Sequence, residues 1–321
     1  MIYKDPYSLQ TLILLNKGLV HNGTVIFPNI NGAVRVVSDD NYATNFGFQW
    51  HKFKTTQIDR QLKNADQSKN RLFAATGWDK ENLAGKNILE VGSGAGRFSQ
   101  IVLDFTEANL FSIDYSNAVE VNYENNACYG DRLKLFQASI YEMPFEKEQF
   151  DKVFCFGVLQ HTPDVKRSVT CLAEMVKPGG ELIVDFYPRN GWWTKIHAKY
   201  IFRFFTKGIN HEKLLRKIEK NIDWMIALSN FFNKVGVGKI ANRFIPICDF
   251  TSTFPANLTK EQIREWCILD TFDMFSPVYD QPQKVASVKT WFEQLGFTDI
   301  FADFIIYDNN NRVIVVKGIR K

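Results

Sequence analysis

Lys86-Asn-Ile-Leu-Glu-Val-Gly-Ser-Gly-Ala-Gly-Arg-Phe-Ser99 is the stretch on which the reading of the fold turns. Asn87 to Val91 read as a short apolar strand. Gly92-Ser93-Gly94-Ala95-Gly96 reads as a tight turn, and Phe98, Ile101, Val102 and Phe105 recur at helical spacing. A strand, a glycine turn and a helix make a nucleotide-binding elbow. Glycine permits tight turning and close backbone approach, and the first turn of the helix presents free N–H groups. The turn alone does not choose a ligand, so the surrounding chain must.

Downstream of Lys86, strand and helix patterns alternate. The expected strands are Asn87–Val91, Asn109–Asp114, Lys134–Ala138, Phe150–Phe156 and Gly180–Phe186, with a helix over Val165–Val176 before Lys177-Pro-Gly-Gly180. Such alternation predicts parallel strands with crossover helices on both faces, and ligands outside the carboxyl ends of the strands. That rule groups Gly92–Gly96, Asp114, Ser139-Ile140 and Gly157–His161. The chain ends on an expected helix, Val285–Leu295, stopped by Gly296. Strands Asp299–Tyr307 and Arg312–Lys317 follow, and the short link Asp308-Asn-Asn-Asn311 makes them antiparallel. The expected fold class is α/β: a Rossmann-like, seven-stranded sheet, parallel but for one strand, with a helical cap inserted between strands five and six. The core comprises residues 85–190 and 291–321 and the cap 191–290.

Residues 1–37 read as a small β-unit. Leu12–Leu15, Leu19-Val20 and Thr24–Phe27 are β-formers, and Asn22-Gly23 between the last two is a hairpin signal. Residues 38–84 read as helical. One reading of Asn41–Phe53 is a helix pinning aromatic side chains onto the core; another is a lid with Gln49, Trp50 and Gln57 directed into the cleft. Arg71 and Phe73 open a second helix that runs to Gly77. In the cap, Trp192-Trp193 and Ile196–Phe205, with Lys195, Lys199, Arg203 and Lys207, form a basic aromatic helix, and Lys213, Arg216, Lys217 and Lys220 continue the charge. Three readings stay open: a solvated basic face, contact with a membrane surface through 192–220, or an anionic acceptor. Asp270–Pro282 is polar and aromatic without amphipathic period, and reads as a connecting loop or the acceptor-facing wall of the cleft.

Composition sets bounds. The 321 residues, 45% hydrophobic and 23% charged, allow one large domain with an appendage. Twenty-eight phenylalanines call for an aromatic core or apolar pockets. A net charge of +4 is too small to argue for nucleic acid. Five scattered cysteines, without a Cys-x-x-Cys pair or metal-ligand spacing, read as reduced thiols of a cytoplasmic protein with no metal site. Leu9–Leu15 is too short, and lacks the basic leader, to be a signal peptide; no segment reaches membrane-spanning length. No oligomeric state is specified.

Taken together, these motifs resemble the class I S-adenosylmethionine-dependent methyltransferases. Ile88-Leu-Glu-Val-Gly-Ser-Gly-Ala-Gly-Arg97 is similar to their first motif, and Phe111-Ser-Ile-Asp114-Tyr-Ser to the second strand with its acidic end. Met143-Pro-Phe145 with Gln149–Asp164 is similar to the third and fourth motifs, and Glu174–Val184 to the approach to strand five. The resemblance spans about residues 85–187 and the closing hairpin. Phe27-Pro-Asn-Ile-Asn-Gly32 more loosely resembles small zinc-ribbon modules found beside some methyltransferases. No cysteine precedes Cys128, so it would be a metal-free remnant.

The resemblance implies S-adenosylmethionine as cofactor, with Glu90, Gly92, Ser93, Gly94, Gly96, Arg97, Asp114, Tyr115, Ser139, Ile140, Phe156 and Gly157 around it. Asp114 lies 22 positions past Gly92, where it accepts from both ribose hydroxyls. Glu90 orders the turn and helps hold the ammonium group. Ser139 stands where the family often has an aspartate for the adenine amine, so that contact would lack charge. The chemistry is in-line methyl transfer, for which the enzyme chiefly supplies alignment. A hydroxyl acceptor would need a base, and His161 is the candidate, the alternative being a histidine that only shapes the pocket. Gln49, Trp50, Tyr187 and Tyr279 are candidates for acceptor contact. The expected activity is O-methylation of a sugar, nucleotide-sugar or glycan-related small molecule, by resemblance of 270–282 to bacterial polysaccharide-associated methyltransferases. The alternatives are an RNA base methyltransferase and a non-catalytic S-adenosylmethionine-binding regulator.

Overall fold

The structure is a computed structural model; it describes residues 1–62, 66–189, 191, 196–206, 208–248, 250, 254, 255, 257–308 and 311–321. Trp192, Trp193, Lys195 and Lys207 of the expected basic helix lie outside the described residues, as do Asn309 and Asn310 of the closing link.

The chain opens on five short strands: β1 (Tyr3–Lys4), β2 (Thr11–Leu15), β3 (Gly18–His21), β4 (Thr24–Ile30) and β5 (Ala33–Arg35). Helices α1 (Thr44–Lys52) and α2 (Gln67–Thr76) follow. Then come β6 (Asn87–Val91), α3 (Arg97–Phe105), β7 (Asn109–Asp114), α4 (Val119–Asn126), β8 (Leu133–Gln137), β9 (Phe150–Cys155), α5 (Val165–Met175) and β10 (Val176–Asp185). The cap carries α6 (Ala198–Thr206), α7 (His211–Lys234), α8 (Gly238–Ala241) and α9 (Lys260–Phe275). The chain closes on α10 (Val285–Gln294), β11 (Phe297–Tyr307) and β12 (Asn311–Arg320).

The strands form one sheet in the order β1-β2-β3-β4-β5-β8-β7-β6-β9-β10-β12-β11. Within it, β6 to β12 are the seven expected strands, with β12 antiparallel to both β10 and β11. The sheet is wider than seven because the N-terminal strands continue it. Ala33–Arg35 lies parallel to Leu135–Gln137, so the β-unit is added to the edge of the core sheet. Asn22 and Gly23, at φ 47° and 82° between paired His21 and Thr24, make the expected two-residue hairpin. Among the described residues no group of three or more His, Cys, Asp or Glu is placed to hold a metal, and no helix is long and apolar enough to cross a membrane.

Both faces of the core sheet are covered. Leu89 and Val91 of β6 pack on one face with Phe111, Val153 and Leu182, while Ile88 packs on the other with Phe98, Leu110 and Phe154. Near-continuous apolar strands are what burial on both sides requires. Much of the phenylalanine serves this core. The rings of Phe136, Phe145 and Phe150 meet edge to face at 5.0 and 5.1 Å, and Phe111 meets Phe150 at 5.5 Å.

The cap departs from expectation in two places. The segment from Asp270 to Phe275 is not loop: it is the last turns of α9, which begins at a Thr259–Gln262 capping box. Trp266, Cys267, Ile268, Leu269, Phe272, Met274 and Phe275 are all buried, so the second half of α9 has no solvated polar face to give it an amphipathic period. On α6 the basic side chains face inward. Arg203 is buried and donates to the carbonyls of Met274 (3.3 Å) and Pro277 (2.7 Å), while Lys199 pairs with the buried Asp280. The reading of α6 as carrying a solvated basic face is therefore corrected.

Candidate functional site

At the carboxyl ends of the parallel strands lies a cavity of about 580 Å³, within the roughly 300–1,000 Å³ usual for small-molecule sites. The glycine turn forms its floor. Gly92 and Ser93 donate their N–H groups to the carbonyl of Ile113 at 2.7 and 3.1 Å, which fixes the turn against β7. Gly92 has φ +88°, and a Cβ there would come within 2.0 Å of Val158 Cγ2. Gly94 has φ +52°, and a Cβ there would meet Trp50 Nε1 at 2.6 Å, so α1 lies directly over the turn. At both positions only glycine avoids strain and collision.

Asp114 closes β7 and lines the cavity. Its Oδ2 accepts from the N–H of Gly94 at 2.8 Å, and its Oδ1 from the N–H and hydroxyl of Ser116 at 2.8 and 2.7 Å. A carboxylate oxygen has two lone pairs, so Oδ2 keeps one for a hydroxyl in the cavity. Glu90 lies beneath the turn and does not line the cavity. Its Oε2 accepts from the hydroxyls of Ser99 and Ser112, and its buried Oε1 has no partner. Burial pushes its carboxyl up to about 7.

Three elements converge on Arg97, the first residue of α3. Its Nη1 donates to Gln57 Oε1 at 2.7 Å and its Nε to Ser68 Oγ at 3.1 Å. Gln57 in turn donates to Asp270 Oδ1 on α9 at 3.1 Å. Asp270 is pushed up to about 7 by burial, with the neighbouring Asp273 adding to the rise. The chain Arg97–Gln57–Asp270 therefore ties the glycine helix, the segment after α1 and the cap together along one wall. Beside it, Arg71 of α2 pairs with Asp185 at the end of β10, whose Oδ1 accepts from the N–H of Gly157 at 2.5 Å.

His161, in the turn after β9, also lines the cavity. Its Nδ1 lies 3.0 Å from the carbonyl of Tyr279. A carbonyl only accepts, so this contact places the proton on Nδ1 and leaves the lone pair on Nε2. Nε2 is buried without a partner, and the ring lines the cavity between Phe46 (centroids 5.2 Å) and Tyr187 (5.7 Å). Burial lowers the imidazole's affinity for a proton below its ordinary value, against the opposing charge of Asp273. Burial thus favours the neutral ring, which has an unpartnered basic nitrogen in the cavity.

Of the residues singled out in the sequence, Gln49, Trp50, Gln57, Gly92, Ser93, Gly94, Arg97, Asp114, Tyr115, Ile140, Phe156, Gly157, His161 and Tyr187 line this one cavity. Glu90, Gly96, Ser139 and Tyr279 do not. Gly96 is the N-cap of α3 in the left-handed conformation. The hydroxyl of Ser139 accepts from the N–H of Tyr141 at 3.1 Å. Tyr279 offers its carbonyl to His161 and its ring to Tyr42, at 5.3 Å. Arg71, Asp185 and Trp266 were not anticipated, and Lys199 was named only as part of the basic helix. An acidic residue ending a fifth strand, Val184-Asp185-Phe186, was the available signal for Asp185.

The residues present fit S-adenosylmethionine. Asp114 retains an acceptor for a ribose hydroxyl, Ile140 and Phe156 give apolar walls for a base, and Arg97 is the cation for a carboxylate. The unpartnered buried oxygens of Ser93 and Gln49 also line the cavity.

Comparison with known proteins agrees. Residues 89–184 match the family model described as "Methyltransferase domain". The chain is 31% identical over 150 residues to a ubiquinone biosynthesis O-methyltransferase of Pseudomonas fluorescens, which is 44% of this chain and 63% of that protein. It is 29% identical over 148 residues to the protein of the same name from Salmonella enteritidis, 44% of this chain and 61% of that one. The chain thus spans about three fifths of the length of the curated relatives it matches. Among solved structures, magnesium protoporphyrin IX methyltransferase from Synechocystis with bound SAH superposes at TM-score 0.48 and 15% identity, over 87% of this chain and 97% of that one. The glycine turn and Asp114, which line the cavity, both lie within residues 89–184, the region that matches a methyltransferase domain.

Proposed function

We propose that the chain catalyses O-methylation of a small-molecule hydroxyl, with His161 as general base. The supporting observation is the geometry of the imidazole: its Nδ1 faces the Tyr279 carbonyl, and its Nε2 is buried without a partner in the cavity. S-adenosylmethionine supplies an electrophilic methyl on a positive sulfur. The chain's part is to align the acceptor oxygen and remove its proton as the bond forms.

The acceptor we infer is a polyhydroxylated molecule such as a sugar, nucleotide-sugar or glycan-related compound. Asp270 and Asp273 offer acceptors for several hydroxyls, and Tyr42, Phe46 and Tyr187 offer flat apolar faces. A second reading, a phenolic or quinone-related acceptor, is favoured by the names of the curated relatives. The test is transfer of labelled methyl from S-adenosylmethionine to nucleotide sugars, glycans, polyphenols and RNA. Label on a hydroxyl of one of the first three classes is expected. Label on RNA alone would replace the proposal with RNA base methylation. Cofactor binding by calorimetry with no transfer to any class would favour the non-catalytic alternative.

A further inference from the structure

Helix α6 is built inside out. Its inward side carries Ala198, Lys199 and Arg203, the last two committed to Asp280 and to the carbonyls of Met274 and Pro277. Its outward side carries Ile201, Phe202, Phe204 and Phe205, which are 52%, 41%, 84% and 69% exposed. Positions 201, 204 and 205 share a helix face by their i, i+3, i+4 spacing. An aromatic face this open on a surface helix calls for a partner.

The next helix says what kind of partner. On α7, Leu214, Leu215, Ile218, Ile222 and Met225 are buried against the cap core. Lys213, Arg216, Lys217 and Lys220 stand exposed on another stripe, at i, i+3, i+4 and i+7. The same stripe continues to Trp224, which is 49% exposed. Only residues 207–210 separate the two helices, so the cationic stripe follows the aromatic face closely along the chain. Exposed lysine and arginine on one helix and exposed phenylalanine on the helix just before it, neither able to span a bilayer, is the composition of an interfacial surface. The rings enter the acyl boundary and the cations meet anionic headgroups.

We propose that α6 and the first half of α7 dock the protein on an anionic lipid surface. Lys199, on the opposite side of α6 from the exposed rings, lines the cavity, so the docked face and the cavity lie on two sides of one helix. The proposal does not depend on which hydroxyl is methylated.

The test is co-sedimentation of the full chain with vesicles of phosphatidylcholine alone and of phosphatidylcholine with phosphatidylglycerol. Wild type is expected to sediment with the anionic vesicles, and less so at high salt. The pairs Phe204→Asp/Phe205→Asp and Lys213→Glu/Lys217→Glu are each expected to lower partitioning by about tenfold or more. Melting temperature and S-adenosylmethionine affinity should be unchanged in both pairs, which separates docking from folding. Failure of wild type to sediment with anionic vesicles, or undiminished sedimentation of both pairs, overturns the proposal. So does light scattering that shows a dimer dispersed by the phenylalanine pair, which would make the face a self-association surface.

Discussion

His161 is where the chemistry is most exposed to refutation. Its burial disfavours the charged form and holds the proton affinity below the ordinary 6.5. Because the base must be neutral, kcat/KM should fall on the acid side, with an apparent pKa under 6.5, and be level from there through pH 8. General-base assistance is worth about 10²–10⁴ in rate. His161→Ala should therefore lower kcat by about that factor at pH 7.5, and its residual rate should rise with pH as the acceptor's own ionisation takes over. Cofactor affinity should hold, since in the proposal Nε2 meets the acceptor while Asp114 and the glycine turn hold the cofactor. His161→Gln keeps a polar side chain of similar reach without a basic nitrogen, and should be as slow. The assay is initial-rate methyl transfer from pH 5 to 9 with calorimetric cofactor binding alongside. If His161→Ala keeps its rate within about threefold of wild type across that range, or if the acid limb survives the substitution, the base is another group.

Two further outcomes follow from the floor of the cavity. Asp114→Asn removes the charge from hydrogen bonds worth about 1.5–3 kcal/mol, so S-adenosylmethionine should bind about ten- to a hundredfold more weakly by calorimetry; an unchanged dissociation constant would remove Asp114 from the ribose. Glu90, pushed from its ordinary 4.5 up to about 7, binds a proton more tightly folded than unfolded. Its contribution, about 3 kcal/mol at most, is full below pH 4.5 and is lost as pH rises through 7. Asp270 acts in the same sense, so Glu90→Gln should roughly halve the fall in melting temperature between pH 5 and 8, and an unaltered slope would contradict the assignment.

Residues 85–187 were legible because each step there is written locally. Val91 ends an apolar run at Gly92, and Asp114 ends another. Parallel pairing forces those ends to one edge, so a list of strand ends became a list of cavity residues. The parts that went unread are those where tertiary packing overrides local pattern. β1 and β5 are two and three residues long and gain their strand geometry from neighbours. Asp270–Phe275 looked like loop because α9 is enclosed on nearly every side from Trp266 onward and shows no solvated polar stripe there. Arg203 looked solvated because nothing in its own helix reveals the open carbonyls of Met274 and Pro277 that it satisfies. Ser139 was assigned by position relative to Met143-Pro144, and position alone could not show its hydroxyl turned to the N–H of Tyr141.

The division between core and insertion also bears on catalysis. The imidazole of His161 comes from the core, but the carbonyl that fixes its tautomer comes from the segment after α9. That segment is held at several points. Arg203 takes the carbonyl of Pro277, Lys199 pairs with Asp280, and Gln281 donates its N–H to the carbonyl of Gln160 at 2.8 Å. The Gln281 amide adds bonds to the carbonyls of Thr162 and Pro163 at 2.7 and 2.8 Å, just past the histidine turn. A cap not seated in this way would leave Nδ1 without its acceptor, and the imidazole free to take the other tautomer, with its proton toward the cavity. Two of these anchors, Lys199 and Arg203, belong to α6, whose other face carries the exposed rings. The helix proposed to meet the lipid surface is therefore also one that anchors the segment bearing the Tyr279 carbonyl, and whatever holds α6 in place favours the tautomer with its lone pair on Nε2.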